Sequence, residues 1–249
     1  SGATLFMPTG PTPAGGRKVI AWAHPTVGMG DSCAPSRSTQ PTQNMDWLQG
    51  MLDRGWIVTV TDYAGLGTAG IAYYLIGENE AIDTINSVRM ARRCPGADAS
   101  NAYGVFGHSQ GGHAALWAGA VAPAYAPELD LVGVAGAAPA AELASLVSQQ
   151  WADTVSWVIG PEVFTSFPAA YPELDLDQVP ERRVSELAAL RRLGREEGLV
   201  VLRGGRPERR VIRVVGLHDH LAGALAPPGA PRHLLEELEG PLCRAEVGQ

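Results

Sequence analysis

The chain has 249 residues, is 45% hydrophobic and carries a net charge of −7. That suffices for one large domain with a sizeable core; the acid excess argues against nucleic acid, which asks for a basic face, and no apolar run approaches a membrane span. Three cysteines, Cys33, Cys94 and Cys243, show no metal spacing, so no metal or cofactor is expected, and one disulfide with a free thiol or three buried thiols both remain open.

Taken in order, Ala3–Met7 reads as a first strand closed by Pro8-Thr-Gly-Pro11. Val19–Ala23 is a continuous apolar run, suited to a central buried strand. It opens into His24-Pro25-Thr26-Val27-Gly28, where His24 reads as a packing residue of the loop. Asn44 has the chemistry of an N-cap. Trp47, Leu48, Met51 and Leu52 after it form one apolar helical face, stopped by Gly55. Trp56–Thr61 is the next strand, ending in the Gly-rich loop Asp62-Tyr-Ala-Gly-Leu-Gly67. A helix follows from about Glu78 to Arg93, ended by Cys94-Pro-Gly96.

Ala102–Ala120 contains Gly107-His-Ser109-Gln-Gly111 between a short apolar run and a stretch rich in helix formers that ends at Pro123. A strand feeding a helix through one tight turn puts Ser109 at a strained apex, with the amides of the helix N-terminus beside it. Gly107 and Gly111 are then needed because a Cβ at either flank would strike neighbouring backbone. Leu129–Ala135 gives a further strand. Strands alternating with helix-length crossovers mean an α/β fold with a doubly wound, mostly parallel sheet.

From Ala140 the pattern changes. Trp151, Thr154, Val155, Val158 and Ile159 share a helical face, and Gly160-Pro161, Phe167-Pro168 and Tyr171-Pro172 suggest short helices with breaks. An aromatic-rich insertion here suits a cap over a binding cleft. Residues 181–249 contain no aromatic, Lys, Thr, Asn or Met, yet hold most of the arginines. Within them, Leu199–Leu202 and Val211–Val215 flank a Gly-Gly-Arg-Pro turn and read as a hairpin. The expected division is a core over 1–139, a partial cap over 140–180 and an atypical Arg-rich segment over 181–249.

Four motifs carry a family resemblance: Cys33-Ala-Pro-Ser36, Val60-Thr-Asp-Tyr-Ala-Gly65, Gly107-His-Ser-Gln-Gly-Gly-His-Ala-Ala-Leu-Trp117 and Ala124-Tyr-Ala-Pro-Glu-Leu-Asp-Leu-Val-Gly133. In this order they resemble the secretory lipases of the lipase A type, over roughly residues 1–180. The resemblance implies an α/β-hydrolase core with a helical cap, C-terminally incomplete in this chain, and a secreted protein acting on esters or acylglycerols. It implies Ser109 as nucleophile, Gln110 as donor of an oxyanion amide and Asp62 as the other half of the oxyanion hole. The acid and base of a triad find no match after about residue 180. Asp219 and His233 lie too close for the helix and strand that must separate them, about 25 residues. His218, just past Val211–Val215, stands where a base belongs, with Asp177 and Glu208 as candidates for its acid. Two readings follow: a serine esterase or lipase using Ser109 and His218, or a degenerate hydrolase scaffold acting by binding. An incomplete sheet would leave an edge for a second copy, so a homodimer or higher assembly is expected.

Overall fold

The computed structural model describes residues 1–143, 146, 154–174, 211–213 and 245–247. Its strands are β1 (Ala3–Met7), β2 (Arg17–Ala23), β3 (Ile57–Thr61), β4 (Ala99–His108), β5 (Asp130–Ala137), β6 (Val211–Arg213) and β7 (Ala245–Val247). Its α-helices are α1 (Leu48–Leu52), α2 (Gly77–Arg93), α3 (Gln110–Tyr125) and α4 (Thr154–Ala170). The sheet runs β6-β5-β4-β2-β3-β1-β7. β5, β4, β2 and β3 are mutually parallel, while β1 pairs antiparallel with β3, and β6 antiparallel with β5. This is the mostly parallel, doubly wound sheet of an α/β-hydrolase core, and the central strands point their C-terminal ends to one side.

The period of two along each strand divides the core between the sheet faces. Val19 and Ala21 of β2 and Ile57 of β3 pack with Ile85 and Val88 of α2 and Ala115 and Ala118 of α3. Trp22, Val58 and Val60 point the other way, against Leu48 and Leu52 of α1 and Met45. There Trp22, Trp47 and Phe106 meet with ring centroids 4.9–5.3 Å apart. Burying such aromatics supplies much of the packing on that face.

Three expectations are corrected. Asn44 does not cap α1: it sits at φ 65°, and α1 starts at Leu48 with no side-chain cap. Asn tolerates that left-handed backbone, and here it turns the chain before the helix. Pro123 does not stop α3, which continues to Tyr125. In the last turn proline costs one backbone bond, and the helix still closes through Ala126 N–H to the Ala122 carbonyl, 2.9 Å. Nor do Pro161 and Pro168 break the segment after Ala140 into short helices, since both lie inside the single 17-residue α4. Packing of α4 onto the core overrides the local breakers: Ser166, fully buried, donates its hydroxyl to the Tyr74 carbonyl at 2.7 Å.

Cys94 is disulfide-bonded and Cys33 carries a free thiol, so the reading with both a disulfide and a free thiol holds. β6 forms an antiparallel edge on β5. Its expected hairpin partner Leu199–Leu202 lies outside the described residues, as do Asp177, Glu208, His218, Asp219 and His233.

Candidate active site

β4 ends at His108 and α3 begins at Gln110, so Ser109 alone makes the turn. Its backbone sits at φ 57°, ψ −117°, a conformation that costs a non-glycine residue about 1–3 kcal/mol. Backbone bonds hold it there. Ser109 N–H donates to the Ala137 carbonyl at 3.0 Å, and the Ser109 carbonyl accepts from the N–H groups of His113 and Ala140, both at 3.1 Å. A Cβ on Gly107 would fall 1.9 Å from the Gly111 carbonyl oxygen, and one on Gly111 would fall 1.8 Å from that of Ala23. The elbow therefore exists only because hydrogen stands at both flanks. As the first residue of α3, Gln110 has no helical acceptor for its N–H, which sits at the positive end of the helix dipole.

Asp62 follows β3 and is 2% exposed. Its Oδ1 accepts the Ser36 N–H at 2.8 Å and its Oδ2 the Ser36 hydroxyl at 2.6 Å. Its own N–H donates to the Gly2 carbonyl at 2.9 Å. Asp62 thus fastens β1 and the 31–37 segment to the loop after β3, and both its amide and its carboxylate are committed. The next residue, Tyr63, turns at φ 62° and donates its hydroxyl to the His24 carbonyl at 3.2 Å. The loops after β2 and β3 are thereby tied together. Tyr63, Ala64 and Gln110 line one small cleft beside the elbow, with Met29, Tyr74 and Glu80. The structure so brings the Asp62 loop and the Ser109–Gln110 elbow to a common cleft.

His24 is a packing residue, as read from the sequence. It is 3% exposed, donates Nδ1–H to the Pro25 carbonyl at 2.7 Å and stacks on Tyr63 with centroids 4.3 Å apart. Burial lowers its pKa and keeps it neutral. His113, one helical turn past Ser109, is similar: Nδ1–H donates to the Ala140 carbonyl at 2.9 Å, and burial lowers its pKa against that bond. Both histidines spend their Nδ1–H on backbone, not on an acid.

Sequence reasoning missed two carboxyl groups. Glu80 of α2 is 2% exposed, and burial pushes it up to about 8, against hydrogen bonds from Gln110 and Leu75 that act to lower it. Glu162 of α4 is pushed up to about 7 by burial. Both stand on helices whose other positions read as ordinary amphipathic or apolar pattern, and no spacing distinguishes a buried Glu from an exposed one. Among the described residues, no group of three or more His, Cys, Asp or Glu side chains is placed to hold a metal ion.

The model of the family described as secretory lipase matches residues 34–192. Lipase 7 of Candida albicans is 32% identical over 114 residues, covering 42% of this chain and 26% of that protein. Lipase A of Arthroderma benhamiae is 33% identical over 117 residues, covering 42% of this chain and 25% of its own length. The chain thus matches about a quarter of each of these fungal lipases. Among solved structures, the rice cell wall degrading esterase LipA from Xanthomonas oryzae superposes with a TM-score of 0.52 at 23% identity, over 68% of this chain and 46% of that one. Candida antarctica lipase A does so with a TM-score of 0.52 at 20% identity, over 67% and 40%. These two share the fold. With more than half of its length matched by the family model, the chain belongs to the secretory lipase family.

Proposed function

We propose that the protein is a serine carboxylester hydrolase that cleaves short- to medium-chain esters through an acyl-enzyme on Ser109. The observation that carries this reading is the strained Ser109 turn, held by backbone bonds between β4 and the N-terminus of α3. Ser109 Oγ attacks the ester carbonyl carbon as a histidine takes the hydroxyl proton. The carbonyl oxygen becomes an oxyanion facing the Gln110 N–H. The C–O bond to the alcohol then breaks, the histidine returns the proton to the leaving alkoxide, and water releases the acid by the same steps. We propose His218, which follows the Val211–Val215 run in the sequence, as that base; of the described histidines, His24 and His113 spend Nδ1–H on backbone carbonyls, and His108 ends β4 directly before Ser109.

Asp62 forms the second wall of the oxyanion site. To donate there itself it must release Gly2, or gain a proton and release Ser36. In the arrangement described, it shapes the Tyr63 turn. Helix α4, docked on Tyr74 through Ser166, acts as part of a cap that shelters the acyl chain. The family is described as secretory, which supports an extracellular site of action.

Hydrolysis of p-nitrophenyl butyrate by the parent and by Ser109→Ala tests the reading. A fall of about 10³-fold or more is expected; equal rates would overturn it. A second reading, a scaffold acting by self-association, is favoured by Val132 of β5, 66% exposed on the sheet. A dimer by light scattering with no Ser109-dependent hydrolysis would select it.

A further inference from the structure

Glu80 is the least expected side chain of the core. It stands in the first turn of α2, 2% exposed, and one oxygen makes all its contacts: Oε1 accepts the Leu75 N–H at 2.9 Å and the Gln110 Nε2–H at 2.8 Å. The other oxygen, Oε2, is buried without a partner. Burying a carboxyl with one oxygen unsatisfied costs stability. An apolar residue would fill this helix position at no such cost, and local rules broken in that way mark function more often than architecture.

What the carboxyl does is join three segments. Leu75 turns at φ 55° just before α2, and Glu80 holds that turn from the inside. Gln110 is the residue after Ser109, 6% exposed, and its side-chain amide is anchored by the same oxygen. One helical turn along α2, Asp83 accepts the Ala64 N–H at 2.6 Å, fixing the loop that follows Asp62. The two walls of the cleft are thus hung on adjacent turns of one helix.

We infer that Glu80 is a positioning residue that fixes the peptide between Ser109 and Gln110, and with it the amide that faces the oxyanion. The inference rests on the reading of Ser109 as nucleophile. Oε1 serves as the carbonyl oxygen of a neutral acid: burial first, and Asp83 on its own helix to a lesser degree, push Glu80 up to about 8. Tyr63 and Tyr74, the titratable side chains facing it from the packed loops, are themselves pushed up by burial and stay neutral. A glutamine at position 80 reproduces the neutral acid in shape and in its acceptor.

The test uses the full chain and the variants Glu80→Gln, Glu80→Ala and Gln110→Leu, with thermal melts as the folding control. For p-nitrophenyl butyrate, Glu80→Ala is expected to lower kcat about 10- to 100-fold with KM nearly unchanged, the signature of a misplaced oxyanion donor. Glu80→Gln should restore kcat to within about 3-fold at pH 7, since it keeps both hydrogen bonds. Parent-like kcat in Glu80→Ala would overturn the inference, as would equal losses in the Ala and Gln variants. If Glu80→Ala does not fold, Gln110→Leu takes its place, and parent-like kcat there overturns it.

Hydrogen exchange of the peptide spanning 107–115 gives a readout independent of activity. Faster exchange in Glu80→Ala but not in Glu80→Gln is expected; unchanged exchange in both overturns the inference. If the parent shows no Ser109-dependent hydrolysis, the esterase reading has failed, and this exchange result alone decides whether Glu80 positions the elbow.

Discussion

Gly111 and Ala23 touch backbone to backbone: a Cβ on Gly111 would stand 1.8 Å from the Ala23 carbonyl oxygen. That contact locks the elbow helix onto the end of β2 and leaves no side chain to yield. Gly111→Ala is therefore expected to destabilise the protein by about 3 kcal/mol or more, lowering Tm by about 6–12 °C. It should abolish Ser109-dependent hydrolysis as well. A melt within 2 °C of the parent, about 0.5–1 kcal/mol, would contradict the close packing.

The Ser36–Asp62 clamp gives a second prediction. Ser36→Ala removes the 2.6 Å hydroxyl bond and leaves Asp62 Oδ2 buried and unpaired. The expected loss is about 1–3 kcal/mol, or about 2–12 °C in Tm. Because the Ser36 N–H still holds Oδ1, the fold should survive. Thermal unfolding of the variant checks this, and an unchanged Tm would show that the clamp contributes nothing.

Glu80 makes stability depend on pH in a defined direction. Its carboxyl is at about 8 in the folded chain against 4.5 for the free group. Between these values the folded state binds a proton that the unfolded state has lost. The group's contribution is therefore full below about pH 4.5 and falls as pH rises, by at most about 1.4 kcal/mol per unit, levelling above about pH 8. Denaturant unfolding from pH 5 to 9 should show this slope in the parent and a flatter one in Glu80→Gln. Parallel curves would refute a neutral buried Glu80.

The core of this fold was legible in the sequence, because its signals are local. Val19–Ala23 and Trp56–Thr61 are apolar runs of strand length, and both form central strands. The elbow was legible because a strand-to-helix turn of one residue itself dictates hydrogen at 107 and 111, and both close contacts are present. The family motif at Cys33–Ser36 acquired its physical reason only from the fold, where Ser36 meets Asp62 across 26 residues of chain. Proline was over-read: Pro123, Pro161 and Pro168 all lie within helices, where packing outweighs one missing backbone bond. Glu80 was illegible for a different reason. A glutamate in a first helical turn ordinarily faces water and favours the helix dipole, and only the loop folded over α2 shows that this one is inside.

The attachment of α4 yields another expectation. Ser166 is fully buried and its hydroxyl bonds the Tyr74 carbonyl at 2.7 Å. Ser166→Ala should weaken docking by about 1 kcal/mol and speed limited proteolysis within 154–174 several-fold, roughly the 5-fold that such a free energy gives. Cleavage at the parent's rate would show that Ser166 does not hold the helix.

The central claim, that Ser109 is an activated nucleophile, is tested most directly by intact-mass detection of a fluorophosphonate adduct. The parent is expected to gain one phosphonyl group and Ser109→Ala none. A folded parent that gains no adduct, or a Ser109→Ala variant that is labelled as readily, would contradict the account.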